Sequence, residues 1–229
     1  MIKSIIFSAL LFINFGGPVF GASLFHAQDD WKRLDMPRQP ATQFEFTKSD
    51  ELKVTADQSV AFFFRELSPD DQKKTALHWR WRVEKSFPAT NLSKKSTDDR
   101  PLAVHIWFGD SKFPSFFNSL GSLFGAPRNG RMITYVFGGN HPPGTIIQNP
   151  YFDQGVLIVL QGPRAELNRW YLEKRNIEAD YRKSFPTAPK MLLPRYIVVS
   201  ADTDGTKAKS VARISNLHLS VYTNHKLMH

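Results

Sequence analysis

Eight consecutive residues, Leu77-His78-Trp79-Arg80-Trp81-Arg82-Val83-Glu84, alternate apolar and polar without a break. Successive side chains of a β-strand point to opposite faces. Leu77, Trp79, Trp81 and Val83 therefore share one face, and His78, Arg80, Arg82 and Glu84 share the other. The apolar face belongs to a core. The polar face is either solvent-exposed or the wall of a groove.

Other short extended blocks, rich in β-branched and aromatic residues, fall at 44–46, 51–56, 60–66, 102–108, 132–137, 156–160, 196–201 and 211–222. Asp, Gly, Pro and Asn punctuate them. This pattern predicts a mainly β fold, a β-sandwich or jelly roll. The blocks 132–137 and 156–160 are apolar on both faces and read as central strands covered on two sides. Residues 31–40 read as an irregular lead-in. One docked α-helix is expected over about residues 164–184. Pro163 suits its first turn. Leu167, Trp170, Tyr171, Lys174, Ile177 and Tyr181 recur at helical spacing, Phe185 follows and Pro186 stops it.

Residues 1 to about 21 have the three parts of a secretory signal peptide. Lys3 gives the positive start, residues 5–15 an uncharged apolar stretch, and Gly16, Gly17 and Pro18 a helix break before small residues suited to cleavage. An uncleaved anchor needs roughly 20 apolar residues in a row, more than this run supplies. No later segment is long and apolar enough for a helical span. The expectation is a periplasmic or secreted protein with a single domain over 22–229. The chain has no cysteine, which excludes a thioether lipid anchor, disulfides, thiol catalysis and cysteine-based metal sites. The net charge of +9 is spread along the chain as a solvated surface would be. No basic stripe has nucleic-acid motif spacing, so no nucleic-acid partner is expected.

Strong catalytic signatures are missing: there is no HExxH, GxSxG, GxGxxG or phosphate-loop pattern. No strand carries the ExDxxE spacing of some sandwich glycosidases, which weighs against a hydrolase. Weaker constellations remain. Asp202-Thr203-Asp204-Gly205-Thr206 offers two carboxylates and a Gly bend, a Ca²⁺ candidate whose alternative is a hydrogen-bonded β-turn. No other cofactor is implied. Asp98-Asp99 precedes the strand at 102–108, as a turn or as carboxylates at the sandwich rim. His78 and His105 each stand beside tryptophan, His105 close to Trp107. On neighbouring strands the two histidines could bind a metal, but no third ligand is implied and a structural histidine is the default. Arg175, Asn176 and Asp180 are grouped. Asn176 and Asp180 share a helix face that is solvent-facing unless the helix breaks near Asn176 and turns them toward the sheet. In residues 111–131, Phe113, Phe116, Phe117, Leu120, Leu123 and Phe124 lie among Ser, Gly, Asn and Pro, with Arg128 and Arg131 after them. That texture suits a flap over a cleft, a lipid or partner surface, or a loop packed back on the sandwich.

Several of these pieces together resemble one family. They are Trp31 with a following Pro, the L-x-W-R-W-R-V strand, Asp98-Asp99, Asn149-Pro150-Tyr151, the W-x-x-E-K-R-N-x-x-x-D-Y-R segment from Trp170 to Arg182, and Asp202-Thr203-Asp204. The chain resembles an uncharacterised family of exported bacterial proteins, DUF3047, over most of its length beyond the signal. The aromatic insertion at 111–131 is longer than the family pattern. The resemblance implies no activity. It implies that Asp98, Asp99, Arg175, Asn176, Asp180 and Asp202 belong to the family pattern, through either a buried ion-pair network linking helix to sheet or a binding site.

Three functional expectations follow. The first is a non-catalytic sandwich that binds a glycan or other envelope ligand, its candidate residues Asp98, Asp99, His105, Trp107, Arg175, Asn176 and Asp180. The second is an enzyme acting on envelope polysaccharide, with acid–base residues drawn from His105, Asp98, Arg175 and Asp180, at least two of which should converge on one cleft. The third is an interaction protein making peripheral membrane or partner contact through residues 111–131.

Overall fold

The computed structural model describes residues 21–109 and 130–223. The expected export signal over residues 1–20, and residues 111–129 of the aromatic segment, lie outside the described residues. The described chain forms β1 (Lys32–Asp35), β2 (Gln43–Lys48), β3 (Glu51–Asp57), β4 (Val60–Glu66), β5 (Ala76–Lys85) and β6 (Arg100–Gly109). There follow β7 (Gly130–Phe137), β8 (Ile146–Gln148), β9 (Gly155–Gln161), β10 (Tyr171–Asn176), the helix α1 (Ile177–Ser184), β11 (Pro194–Asp202) and β12 (Lys209–Ser220).

A seven-stranded sheet has the order β1-β4-β11-β6-β7-β9-β8, and a five-stranded sheet the order β10-β5-β12-β3-β2. Neighbours are antiparallel except β7 and β9. The chain crosses repeatedly from one sheet to the other, the winding of a jelly-roll sandwich. Between the sheets, Trp79 and Trp81 are fully buried and meet edge to face at 5.3 Å. They share one cluster with Val104, Ile106, Tyr135 and Val199 of the opposite sheet. Truncating a buried tryptophan of this kind costs about 3–5 kcal/mol.

The two sheets differ on their outer faces. On the seven-stranded sheet Phe62, Phe64, Trp107, Met132, Phe152 and Val198 form a second apolar cluster, and Leu92, Val136, Leu157 and Val159 a third. Every position of β6 is therefore buried, and β7 and β9 are covered on both sides as their apolar runs predict. The outer face of β5 instead carries half-buried or exposed His78, Arg80, Arg82 and Glu84. Among the described residues, the face left open is that of the five-stranded sheet.

Three expectations need correction. The helix does not run over 164–184: it is α1 alone, and residues 171–176 form the edge strand β10. Tyr171, Glu173 and Arg175 lie opposite Trp81, Trp79 and Leu77 and turn inward with them, while Leu172 and Lys174 turn out to solvent. A period of two thus overrides the helical stripe, and Leu172 is left 77% exposed. The lead-in at 31–40 contains β1, whose edge pairing with β4 needs little apolar content. His78 and His105 are not neighbours, because β5 and β6 belong to different sheets. Among the described residues no helix is long and apolar enough to cross a membrane.

Candidate functional site

The sequence candidates separate into three places. At the start of β6, Asp98 accepts a hydrogen bond from the Tyr151 hydroxyl at 3.2 Å. Arg100 lies 3.3 Å from Asp98 and 3.3 Å from Asp202, the last residue of β11. Asp99 is almost fully buried and accepts from the Gly205 and Thr206 amides at 3.2 and 2.7 Å, so it holds the turn that follows β11. Asp204 accepts from the Gln39 amide at 2.9 Å. Burial pushes the Asp202 carboxyl well above the usual carboxylate range. Asp98, Asp99 and Asp204 add to that, and Arg100 opposes it.

A second group sits where α1 closes the space between the sheets. Asn176 caps the helix, its side-chain oxygen accepting from the Ala179 amide at 3.0 Å. Arg175 donates twice to Asp180, at 2.9 and 2.6 Å, and the buried Tyr135 hydroxyl donates to the same carboxylate at 2.8 Å. Burial, reinforced by Asp180, raises the Tyr135 phenol well above its ordinary range. This is a closed network joining β10, α1 and β7, the architectural alternative that the family pattern allowed.

The third place is the covered outer face of the seven-stranded sheet. His105 joins three adjacent strands there, one ring nitrogen 2.9 Å from the Thr134 hydroxyl and the other 2.8 Å from that of Ser200. Burial, and secondarily Arg100, holds the ring neutral far below the usual histidine range. Trp107 is fully buried and stacks on Phe152 at 5.7 Å.

Of His105, Asp98, Arg175 and Asp180, only Arg175 and Asp180 meet, and they do so within the closed network; Asp98 and His105 stand apart from them. Asp98 stands beside Arg100, the first residue of β6, whereas α1 packs Tyr181 on Phe108 near that strand's other end. At about 3.3 Å per residue the separation is on the order of 25 Å. A cavity of about 610 Å³ opens beside β1, β4 and β11, lined by Asp29, Asp30, Lys32, Phe64, Arg65, Glu66, Leu67, Ser68 and Tyr196, none of them a sequence candidate. Arg65 is tied to Asp30 there at 2.9 Å.

A fourth surface, which of the sequence candidates only His78 touches, is the outer face of the five-stranded sheet. The half-buried Trp170, just before β10, lays its ring over Arg80 at 4.9 Å and over Arg82 at 5.0 Å. Arg80 donates to the Ser215 hydroxyl at 3.1 Å. Lys174, on the adjacent strand, lies 5.6 Å from the centre of the Tyr222 ring. Among the described residues neither Arg80 nor Lys174 has a carboxylate partner, whereas Arg82 and Arg213 share Glu84 at 2.6 and 2.7 Å. Arg213 also reaches Glu51 at 2.7 Å. Burial alone would raise Glu84 and Glu51. Hydrogen bonds from Arg213 and Arg82 to Glu84, and from Thr47 and Arg213 to Glu51, outweigh it and hold both below the usual carboxylate range. His78 and His218 stack in parallel, with centroids 4.7 Å apart. Burial, then His218 and Lys174, lower His78 to about 4. The face thus combines aromatic rings, cations without a carboxylate partner and hydroxyls, with Glu84 and Glu51 held toward the ionised form. The signal for it was present in the sequence as the polar half of the alternation at 77–84. Trp170 was hidden by its assignment to a helix stripe.

The family model described as "Protein of unknown function (DUF3047)" matches residues 29–218. No curated protein matches the chain. Among solved structures, the xyloglucanase domain of NopAA from Sinorhizobium fredii is 12% identical, with 85% of this chain and 95% of that chain covered at a TM-score of 0.47. Endoglucanase Cel12A from Rhodothermus marinus is 10% identical, with 86% and 93% covered at 0.47. The family 11 carbohydrate-binding module from Clostridium thermocellum is 9% identical, with 86% and 91% covered at 0.39.

Proposed function

The chain belongs to the DUF3047 family, and we propose that it is a non-catalytic binding protein, acting in the periplasm or outside the cell, whose open five-stranded face takes an anionic glycan of the envelope. The observation that carries this reading is the Trp170 ring over Arg80 and Arg82, with Lys174 on the neighbouring strand and, among the described residues, no carboxylate opposing Arg80 or Lys174. An indole offers a flat apolar surface to the C–H face of a sugar ring. A guanidinium offers a planar donor fork to a carboxylate, and Lys174 adds a point charge. A uronic-acid residue presents both complements at once. The export pattern in residues 1–21 supports the location.

Acid–base hydrolysis of a glycoside needs one carboxyl group protonated and a second ionised. The face's Glu84 and Glu51 are both held ionised by arginine, which favours binding over cleavage. Calorimetry of the mature chain against short uronate oligosaccharides, with neutral gluco-oligosaccharides of the same length alongside, tests the reading. Binding confined to the uronates and weakened by added salt is expected. Arg80→Ala should weaken it about tenfold or more, the value of one charge-assisted hydrogen bond. Equal affinity for neutral chains, or full affinity in both Arg80→Ala and Trp170→Ala, overturns it.

A further inference from the structure

We infer a separate site for a divalent cation of the Ca²⁺ class where Asp99, Asp202 and Asp204 converge, at the end of the seven-stranded sheet where β6 begins and β11 stops. One carboxylate oxygen from each of the three lies within 4.8 Å of the other two. Calcium holds oxygen ligands at about 2.3–2.6 Å, so oxygens around one ion stand no more than about 5 Å apart. Magnesium, at about 2.1 Å, would draw them closer and demands a regular octahedron.

A second observation points to a missing partner. Asp202 is only 8% exposed, and its Oδ1 has no hydrogen-bond partner although it is shut off from solvent. A buried oxygen left bare in this way is costly and calls for a proton, a water or a cation. The local charge favours the cation. Asp98 and Asp202 share the single guanidinium of Arg100, and among the described residues no salt bridge reaches Asp99 or Asp204. Four carboxylates thus gather around one positive charge. The chain also assembles the ligands in advance. Asp202 is paired with Arg100 across the sheet, and Asp99 grips the turn that carries Asp204 through the Gly205 and Thr206 amides. A bound ion would tie the start of β6 to the end of β11 and to that turn.

The test is thermal unfolding and calorimetry of the full chain after removal of metals with a chelator, with CaCl₂ or MgCl₂ added back. One Ca²⁺ per chain is expected. At a hundredfold excess over its Kd the melting temperature should rise by about 5–10 °C, and less with Mg²⁺. Asp204→Asn keeps an acceptor for Gln39 at a half-buried position, so it should melt like the parent without metal yet lose the Ca²⁺-dependent rise. Asp202→Asn, made alongside, should lose it too. No rise with Ca²⁺, or an equal rise with Mg²⁺, overturns the assignment. So does an Asp202→Asn chain that gains stability without metal while the parent binds no Ca²⁺, because the bare oxygen then belongs to a protonated carboxyl.

Discussion

Asp180→Ala removes an acceptor that three donors share. The Tyr135 hydroxyl, fully buried, loses the acceptor of its proton while Arg175 stays beside its oxygen, which costs about 1–3 kcal/mol. Arg175 loses both of its hydrogen bonds to Asp180, but its side chain is 31% exposed and water takes up part of the charge, so that loss belongs near about 1–2 kcal/mol. The single variant should therefore fall by about 3 kcal/mol. Tyr135→Phe alone gives up one hydrogen bond to a charged group while Arg175 still satisfies Asp180, a loss of about 1–2 kcal/mol. In the Asp180→Ala background the same change removes a hydroxyl that has lost its acceptor and should cost nothing or restore some stability. The coupling is thus expected at about 2 kcal/mol. Urea unfolding of the four proteins, followed by tryptophan fluorescence and circular dichroism, measures it. Additivity within about 0.5 kcal/mol would refute the closed network.

Two other perturbations have clear signs. His78 is lowered by burial, with His218 and Lys174 adding, from 6.5 to about 4. The unfolded chain takes up that proton first, so the His78 contribution to stability falls as pH drops through this window and is gone below it, and His105 acts in the same direction. Denaturant melts at neutral pH and near the lower end of the window should show His78→Gln losing less stability than the parent; an unchanged loss contradicts the linkage. A Cβ at Gly130 would run into the indole ring of the fully buried Trp107, so Gly130→Ala should cost about 1–3 kcal/mol in the same melts, and a parent-like curve would mean that the ring yields freely.

The polar–apolar alternation at 77–84 was enough to place Trp79 and Trp81 in the core and their charged neighbours outside. The unbroken apolar runs of β7 and β9 marked a sheet covered on both faces, for the same reason of burial. Residues 167–181 misled because Tyr171 and Ile177 satisfy a helical stripe while Tyr171, Glu173 and Arg175 also satisfy a strand. The choice fell to pairing with β5, a long-range contact that local spacing does not encode. β1 was invisible because an edge strand needs few β-formers, and β8 because three residues are too short a run to stand out from a loop. The candidate carboxylates were real partners but in two separate groups. Chain proximity brought Arg175 and Asp180 together correctly, whereas only the β6–β11 pairing brings Asp98 and Asp99 to Asp202. Only the β5 half of the open basic face was legible, because its key ring, Trp170, lies in irregular chain before β10 and comes over Arg80 and Arg82 through the β10–β5 pairing.

The central claim is that this face binds an anionic glycan, and chemical-shift mapping of the isotope-labelled chain with a uronate oligosaccharide tests it most directly. The account predicts shifts gathered on Arg80, Arg82, Trp170 with its indole N–H, Lys174 and Tyr222, absent with a neutral oligosaccharide. Shifts gathered instead on the cavity beside β1 and β4, around Lys32 and Arg65, or no shifts at all, would contradict it.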